Sequence, residues 1–482
     1  MNNFHFGSSE QVLEYVCGGG VLFVAFALAQ EVVLPQQAPV YLLANVACFD
    51  TNSPAEWYAF VDCLTPWIAL QAYTQRKVVP EFKNSSPVLD PTLKVVNNGG
   101  QPGEGLTITA TNQLVPDPKP NIMLGNSWSS VTMASNSFMS NMKELQLGYS
   151  STNAKLSNKA QYPYFMRVIA PDSVQSRVIA KVLLELQYTQ VTCLYTDDAY
   201  ANDLALDFRT FALEDGISVA MHPLPYGLYT AWPDRMASAL AEGNRVYVVA
   251  AAMGEVPPLW REMLKAGIAK KENLVFGAET LAFKHIGPET VGHIGVMPVS
   301  KGALWPEFLE FWKTFRLSDL PADIREKADA CGYTDDNFKA GDMPAGFYVP
   351  FQADNMFAAL LAMEGVAKKG LPSDQIRSDA LKDEMYKLVF QGVTGPVAFD
   401  QNGDRLGDYE IYNHVKVGGE IKMDIVGLWG TSGVKFDKQP TFPLISVRRQ
   451  TPPGTRTTIS RMAICLPDFT CLSKLTACSP RF

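Results

Sequence analysis

The sequence predicts an α/β protein built on parallel sheets that are covered by helices on both faces. In the middle of the chain, short apolar segments typical of buried strands alternate with segments of helical spacing. Such repeated βα units place parallel strands next to each other with helices on either side. A length of 482 residues favours two domains, and 47% apolar residues are enough for a full core.

The alternation is clearest between residues 172 and 276. Strands are predicted at Val191–Tyr195, Ile217–Met221, Val246–Ala251 and Leu274–Phe276, and helices at Ser173–Leu186, Ala201–Leu213, Thr230–Leu240 and Pro257–Ala266. The first of these helices has an apolar residue at every fourth position, and Asp172 or Ser173 can cap it. Asp354–Val366 predicts a further amphipathic helix.

Three segments look like connections or tails. Asn84–Pro120 is rich in Asn, Gly and Pro and predicts loops and weak strands, and Leu317–Gly346 is polar. Residues 448–482 carry six Lys or Arg against one acid, which predicts a basic, disordered tail.

Phe390–Asp404 predicts a short strand between two turns, Gly392–Gly395 and Asn402–Gly403.

Composition and motifs argue against several functions. The net charge of −8 disfavours a nucleic-acid surface. The chain has no G-x-S-x-G, Walker A or H-E-x-x-H motif, so we expect no enzyme and no cofactor. The five histidines are scattered and no C-x-x-C pair occurs, so we expect no metal site. Asp400–Asp404 (DQNGD) predicts a turn, because it lacks the ligand pattern of a calcium loop.

Residues 1–29 are predicted to be a secretory signal peptide. Gly18–Ala29 is apolar and ends in an Ala-Leu-Ala cleavage site. The segment before it has no Lys or Arg and contains Glu10 and Glu14, so a buried helix and a mis-assigned start are the alternatives. Removal of Cys17 would leave seven cysteines, of which at least one is unpaired. No later stretch offers 18 uninterrupted apolar residues, so no membrane-spanning helix is expected.

Two blocks resemble a known family. Tyr162–Gln175 (YPYFMRVIAPDSVQ) and Phe390–Asp404 (FQGVTGPVAFDQNGD) are similar to the type I periplasmic-binding-protein fold found in extracellular ligand-binding domains of receptors. Members include metabotropic glutamate, GABA-B and natriuretic-peptide receptors and bacterial branched-chain amino-acid binding proteins. The resemblance covers Pro120–Val426, and Trp67–Phe82 is similar to the first long helix and the loop that leaves it.

The resemblance implies a bilobed clamshell of two doubly wound parallel-sheet lobes joined by a three-crossing hinge. Lobe 1 would comprise residues 40–167 and 297–389, and lobe 2 residues 168–296 and 390–428. The implied function is recognition of a small amino-acid-like ligand in the interlobe cleft, with signalling by cleft closure.

The resemblance also implies a location and partners. The domain would be secreted or lie on the extracellular face of the plasma membrane, within a G protein-coupled receptor of the GABA-B or glutamate type. A receptor dimer partner or a membrane-embedded subunit is then implied. The alternative is a secreted or periplasmic amino-acid solute-binding protein that serves a transporter. An enzyme is a third class, because fold does not fix function.

On lobe 1, the resemblance assigns the ligand's α-carboxylate and α-amine to hydroxyl-bearing loops. Ser129 and Ser130 match the family's serine loop, and Ser150 and Thr152 match its S-x-T segment. Hydroxyls and loop amides at a helix N-terminus suit a carboxylate. The alternative for the serine pair is that it caps a helix beginning near Val131.

On lobe 2, three residues match positions around the ligand's amino group. Tyr200 would stack over the ammonium, Asp172 matches an acid near the hinge, and Glu279 would pair with the amine across the cleft. The alternatives are packing at a strand end, helix capping and a solvated loop, respectively. Ala201 departs from the family's glycine, and the sequence offers no evident basic residue to hold a glutamate side chain.

Overall fold

The computed structural model describes residues 15–17, 20–22, 37–46, 58–282, 290–330, 334–335 and 346–441. The strands are β1 Tyr15–Cys17, β2 Gly20–Leu22, β3 Ala38–Val46, β4 Leu89–Asn97, β5 Ile122–Gly125, β6 Gln146–Gly148, β7 Phe165–Arg167, β8 Gln190–Thr196, β9 Ser218–Leu224, β10 Val246–Ala250, β11 Leu274–Gly277, β12 Ile294–Pro298, β13 Val389–Gly392, β14 Gly395–Ala398, β15 Tyr409–Val417, β16 Glu420–Gly430 and β17 Gly433–Phe436.

The α-helices are α1 Tyr58–Thr74, α2 Pro80–Lys83, α3 Pro102–Leu114, α4 Ser129–Asn141, α5 Asp172–Glu185, α6 Ala199–Glu214, α7 Trp232–Ala241, α8 Val256–Ala266, α9 Glu279–Ala282, α10 Trp305–Trp312, α11 Ala322–Ala330, α12 Val349–Ala367 and α13 Ser378–Met385. The strands and helices predicted between residues 172 and 276 are all present, with boundaries shifted by at most three residues.

The first sheet is entirely parallel, with strand order β4-β3-β5-β6-β7. Its central strand β5 is buried along its whole length and its neighbour β3 over Leu42–Val46, because helices cover both faces of the sheet. Helices α1 and α12 pack together on one face, and α3 packs against α4. The resulting core is rich in aromatic side chains, among them Phe82, Phe308 and Phe357, whose rings meet edge to face.

The second sheet is mixed, with strand order β17-β16-β15-β12-β11-β10-β8-β9. The five strands from β12 to β9 are parallel, as predicted, whereas β15 joins β12 in the antiparallel direction and β16 and β17 continue that pattern. Helices α5 and α6 belong to the core on one face, and α7 and α8 to the core on the other. Cys193 lies buried in β8 as a free thiol.

The chain passes three times between the two sheets. It crosses after β7, after β12 and between β14 and β15, which makes the three-crossing hinge of a bilobed α/β fold. The β13–β14 hairpin packs with Phe390, Val393 and Val397 into the core of the first sheet, beyond the boundary predicted at residues 389 and 390. Its turn joins Gly392 to Gly395, as the sequence predicts.

The prediction of loops and weak strands for Asn84–Pro120 is wrong. The segment contains the nine-residue strand β4, paired in parallel along the whole of β3, and the 13-residue helix α3. The low apolar content follows from position, because β4 is an edge strand whose outward side chains are exposed. Pro102 occupies the first turn of α3, where its missing N–H costs no hydrogen bond.

The prediction for Leu317–Gly346 is also wrong over its first half. Leu317–Asp319 forms a 3₁₀ turn and α11 follows, whereas residues 331–333 and 336–345 lie outside the described residues. The predicted cleavage site after Ala29 and the tail at 448–482 also lie outside them. Within the predicted signal peptide, β1 and β2 pair as an antiparallel hairpin.

Candidate functional site

The predicted site residues lie where strands of both sheets end. Ser129 and Ser130 open α4 after β5, and Ser150 and Thr152 follow β6. Glu279 follows β11, and Tyr200 lies in the first turn of α6 after β8. Carboxyl ends of parallel strands share one edge of a sheet, which is where ligands bind in open α/β sheets.

A loop of hydroxyl-bearing residues, 150–153, is held against the start of α4. Ser150 Oγ donates to the Ser127 carbonyl at 2.8 Å, and Ser151 Oγ donates to the Asn126 carbonyl at 2.9 Å. The Asn153 amide donates to Ser129 Oγ at 3.3 Å. These bonds bring the two predicted hydroxyl loops together at the N-terminus of a 13-residue helix, a position that favours anions.

The interpretation of the serines as helix caps is wrong. Trp128 is the N-cap residue of α4 and makes no side-chain capping bond. Ser129 lies inside the helix, and its hydroxyl accepts from the neighbouring loop instead. Ser130 is half-buried next to it and forms no hydrogen bond to the other predicted residues. The prediction that Asp172 or Ser173 caps α5 is wrong too, because Pro171 is the N-cap and Asp172 is already helical.

Two buried carboxyl groups, Asp172 and Glu279, lie close enough to repel each other. Burial first, and then Glu279, raises the pKa of Asp172 well above its ordinary value, against smaller opposing effects of Thr152 and Arg167. Burial raises the pKa of Glu279 to about 7. Neither carboxyl group forms an ion pair within the described ranges. The site can therefore receive a cation.

Several buried polar atoms around this acid pair have no hydrogen-bond partner among the described residues. They are Asp172 Oδ2, Gln175 Oε1 and the Thr280 hydroxyl. Unpaired buried polar atoms carry a desolvation cost, which a bound ligand or water can remove. Burial and then the Glu279 and Asp172 carboxyls raise the pKa of Tyr200 well above its usual value, so its phenol stays protonated.

Two site residues were not singled out by the sequence, although both lie in the block Tyr162–Gln175. Gln175 Nε2 donates a short hydrogen bond to Glu279 Oε2. Arg167 is fully buried, and its Nε donates to Asp404 Oδ1 at 2.6 Å. Its Nη1 donates to the carbonyls of Ser151 and Asn153, each at 3.0 Å.

Arg167 thus joins the two sequence blocks that carry the family resemblance. Its partner Asp404 belongs to the second block, where Asp400 Oδ1 accepts from the amides of Asn402 and Asp404. Gly403 closes this turn with φ of +63°, a conformation that glycine adopts at little cost. The DQNGD segment is therefore a turn, as predicted.

The hydroxyl loop also bonds directly to the second lobe. Asn153 Nδ2 donates to the Ala199 carbonyl and, at 2.8 Å, to Asp203 Oδ2 of α6. Lys155 Nζ lies 2.8 Å from the same oxygen. Three polar contacts thus link the segment after β6 to the helix that carries Tyr200.

Glu279→Gln should change the pH dependence of stability. The native carboxyl keeps its proton up to about pH 7, whereas the unfolded one loses it near 4.5. Because the native state binds more protons in this window, stability falls as pH rises and levels off above pH 7. The unfolding free energy of wild type minus that of the variant should fall by about 2–3 kcal/mol between pH 5 and pH 8.

Urea unfolding at several pH values measures this difference. Glu214→Gln is the matched control, because it removes the same kind of charge from the exposed C-terminal end of α6. An equal pH profile for wild type and Glu279→Gln would mean that Glu279 is not a buried acid of raised pKa.

No cluster of three or more His, Cys, Asp or Glu side chains able to hold a metal ion is found among the described residues. In the same part of the chain, no helix is both long and apolar enough to cross a membrane.

Comparison with known families agrees with this arrangement. The model of the receptor family ligand binding region matches residues 79–284 and 359–416, more than half of the chain. The chain belongs to this family. The two matched segments include both hydroxyl loops, the acid pair and α6. The bilobed type I periplasmic-binding-protein fold predicted from the two sequence blocks is thereby confirmed.

A relative from Dictyostelium discoideum is a metabotropic glutamate receptor-like protein, protein E. It is 28% identical over 281 residues, which cover 55% of this chain and 32% of the relative. The chain spans about a third of the length of this relative. The protein is thus a receptor-family ligand-binding domain related to a metabotropic glutamate receptor-like protein.

Proposed function

We propose that the domain recognises a small amino-acid-like ligand in the cleft between its lobes and signals by closing on it. The observation that carries the proposal is the pairing of two opposite chemistries in one connected site. Hydroxyls and helix-end amides around Ser129, Ser130, Ser150 and Thr152 suit a carboxylate. The buried carboxyls Asp172 and Glu279, neither of which forms an ion pair among the described residues, suit an ammonium group.

The two chemistries are connected through the backbone. The Asp172 amide donates to the Thr152 carbonyl at 2.8 Å, so the acid pair begins next to the hydroxyl loop. An α-amino acid carries its carboxylate and ammonium on one carbon atom and needs donors and acceptors side by side. Tyr200 lies beside both acids and would cover the ammonium with its ring, an attraction worth about 0.5–2 kcal/mol.

Closure is proposed because the protein groups that bind the ligand would come from both sides of the hinge. The hydroxyl loops follow strands of the first sheet, whereas Glu279 and Tyr200 follow strands of the second. A ligand shifts a conformational equilibrium only through contacts that differ between the two states. The bonds from Asn153 and Lys155 to Asp203 already join the two sides in this structure and would stabilise the closed state.

The receptor-like relative favours a role within a G protein-coupled receptor of the GABA-B or glutamate type, at the extracellular face of the plasma membrane. A dimer partner or a membrane-embedded subunit would then carry the signal onward. The proposed lobes are residues 40–167 with 297–389 and residues 168–296 with 390–428, except that the β13–β14 hairpin packs with the first lobe. The predicted signal peptide at 1–29 would direct secretion.

Small-angle scattering with the full chain tests closure. Amino acids that raise the melting temperature should reduce the radius of gyration at saturation. Tyr200→Ala should reduce both affinity and compaction, because it removes the ring that contacts the ligand in the closed state. Tyr200→Phe is the matched control, since it keeps the ring and removes only the hydroxyl.

Two results would reject the mechanism. One is a wild-type radius of gyration that stays the same when an amino acid is bound at saturation. The other is an affinity that is the same in Tyr200→Ala and wild type, because the ligand would then bind outside the proposed cleft.

A further inference from the structure

A second buried carboxylate lies at the same edge of the second sheet, beyond the acid pair. Glu255 ends the 3₁₀ turn Met253–Glu255 after β10 and is only 5% exposed. Its Oε1 accepts from the Tyr229 hydroxyl at 3.0 Å. Its Oε2 is buried and has no hydrogen-bond partner in the described part of the chain. This oxygen can therefore accept a hydrogen bond from a ligand.

Aromatic side chains flank Glu255. Tyr226 and Tyr229, in the connection after β9, are 53% and 45% exposed although both are large. The Tyr226 amide donates to Asp197 Oδ1 at 2.6 Å, which fixes this connection against the end of β8. Glu255 and Asp198 both raise the pKa of Tyr226, after the larger effect of burial, so the two acids lie near its ring.

This edge of the sheet is continuous with the proposed amino-acid site. Asp198 Oδ1 accepts from the Tyr200 amide at 2.9 Å, and the Tyr200 side chain lies close to Glu279. Strands β10 and β11, which precede Glu255 and Glu279, are neighbours in the sheet. Neighbouring strands lie about 4.8 Å apart, so the segments that carry Glu255 and Glu279 leave the sheet side by side at this edge.

The acids at this edge form no ion pairs with side chains of the described residues. Among the described residues, none of Asp172, Asp198, Glu255 and Glu279 forms an ion pair. Lys155, which reaches this edge from the hydroxyl loop, is bonded to Asp203. A buried carboxyl group with one unpaired oxygen and no ion pair is unfavourable, so a ligand that brings a cation to Glu255 is favoured over one that brings an anion.

We propose that the ligand carries two cationic groups, one held by Asp172 and Glu279 and a second held by Glu255 between the rings of Tyr226 and Tyr229. Basic amino acids and α,ω-diamines both carry two such cationic groups. The rings would attract the second cation through their faces. This inference rests on the proposed function, since it takes the acid pair as the site of the first amine.

Calorimetry on the full chain tests it with three probes. L-lysine has both amines and a carboxylate, L-norleucine lacks only the second amine, and cadaverine lacks only the carboxylate. Lysine should bind about tenfold more tightly than norleucine, or better, because a charge-assisted bond to a buried acid is lost without the second amine. Cadaverine as tight as lysine assigns the site to diamines, and weaker cadaverine assigns it to basic amino acids.

Glu255→Gln keeps the size of the side chain and removes its charge. This variant should lose the preference for lysine and keep the wild-type affinity for norleucine. Glu214→Gln, which removes an exposed charge at the far end of α6, should keep the preference. Tyr226→Ala, at an exposed position, should weaken lysine about two- to tenfold and spare norleucine, which gives a second measurement if Glu255→Gln does not fold.

Equal affinities for lysine and norleucine, tighter norleucine, or an intact lysine preference in Glu255→Gln would each overturn the inference. The inference would also be overturned if neither lysine nor cadaverine bound. The proposed function is judged separately with alanine and glutamate. Binding of either that is lost in Asp172→Asn supports the amino-acid site even when the second cationic position is disproved.

Discussion

Arg167→Leu should lower the unfolding free energy by about 3–5 kcal/mol, the largest loss of stability expected for any single change considered. The Arg167 guanidinium is fully buried and makes bonds to Asp404, two backbone carbonyls and, at 2.6 Å, Ser157 Oγ. Leucine fills part of the volume but leaves Asp404 as a buried charge without a partner. It also frees the loop 150–153 from the strand below it.

Chemical denaturation of the full chain measures the loss, and Arg177→Leu is the matched control. Arg177 lies on α5, is about half exposed and reaches Glu214 only at 3.9 Å. Exposed pairs contribute about 0.2–1 kcal/mol, so the control should change stability little. Similar stabilities for the two variants would show that the Arg167–Asp404 pair does not hold the hinge together.

Asp172→Asn should abolish most of the affinity for any amino acid that binds the wild-type protein. Removing one charge from a buried charge pair costs about 2–5 kcal/mol, which is about 30-fold or more in affinity. The same change removes a like charge next to Glu279, so the stability of the ligand-free protein at pH 7.5 should stay equal or rise. Loss of binding without loss of stability is typical of a residue kept for function.

Calorimetry and thermal denaturation on the same preparations separate these two effects. Asp234→Asn is the control, because Asp234 is an exposed acid in the first turn of α7. It should leave affinity unchanged. Wild-type affinity in Asp172→Asn would remove the acid pair from the ligand site. A large drop in stability would instead indicate that Asp172 is a structural residue.

Elements with strong apolar patterns were predictable from the sequence, whereas elements held by their neighbours were not. The helix α5 and the strands β8 and β10 follow directly from periodicity and buried runs. By contrast, β4 and α3 have little apolar pattern of their own. The first is stabilised by pairing with β3, and the second by packing against α4.

For the candidate site, resemblance located the residues but not their partners. Glu279 could have been a solvated loop acid, yet it is buried against Gln175. Ser129 could have capped a helix, yet its hydroxyl accepts from Asn153. In both cases the partner is distant in sequence, by 104 positions for Gln175 and by 24 positions for Asn153. No local pattern could therefore identify the bond. The role of Arg167 could not be predicted for the same reason, because its partner Asp404 is 237 positions away in the sequence.

The α/β class, the βα units between residues 172 and 276, the turn at DQNGD and the family of the chain could all be predicted from the sequence. These features depend on hydrophobic spacing, turn residues and local motifs, which are all properties of short segments. The tertiary structure alone decided that a polar segment forms β4 and α3, that the second sheet ends in antiparallel strands, and that Asp172 and Glu279 share one buried site. Pairing, burial and charge repulsion depend on residues that only folding brings together, and they therefore leave no mark on the local sequence.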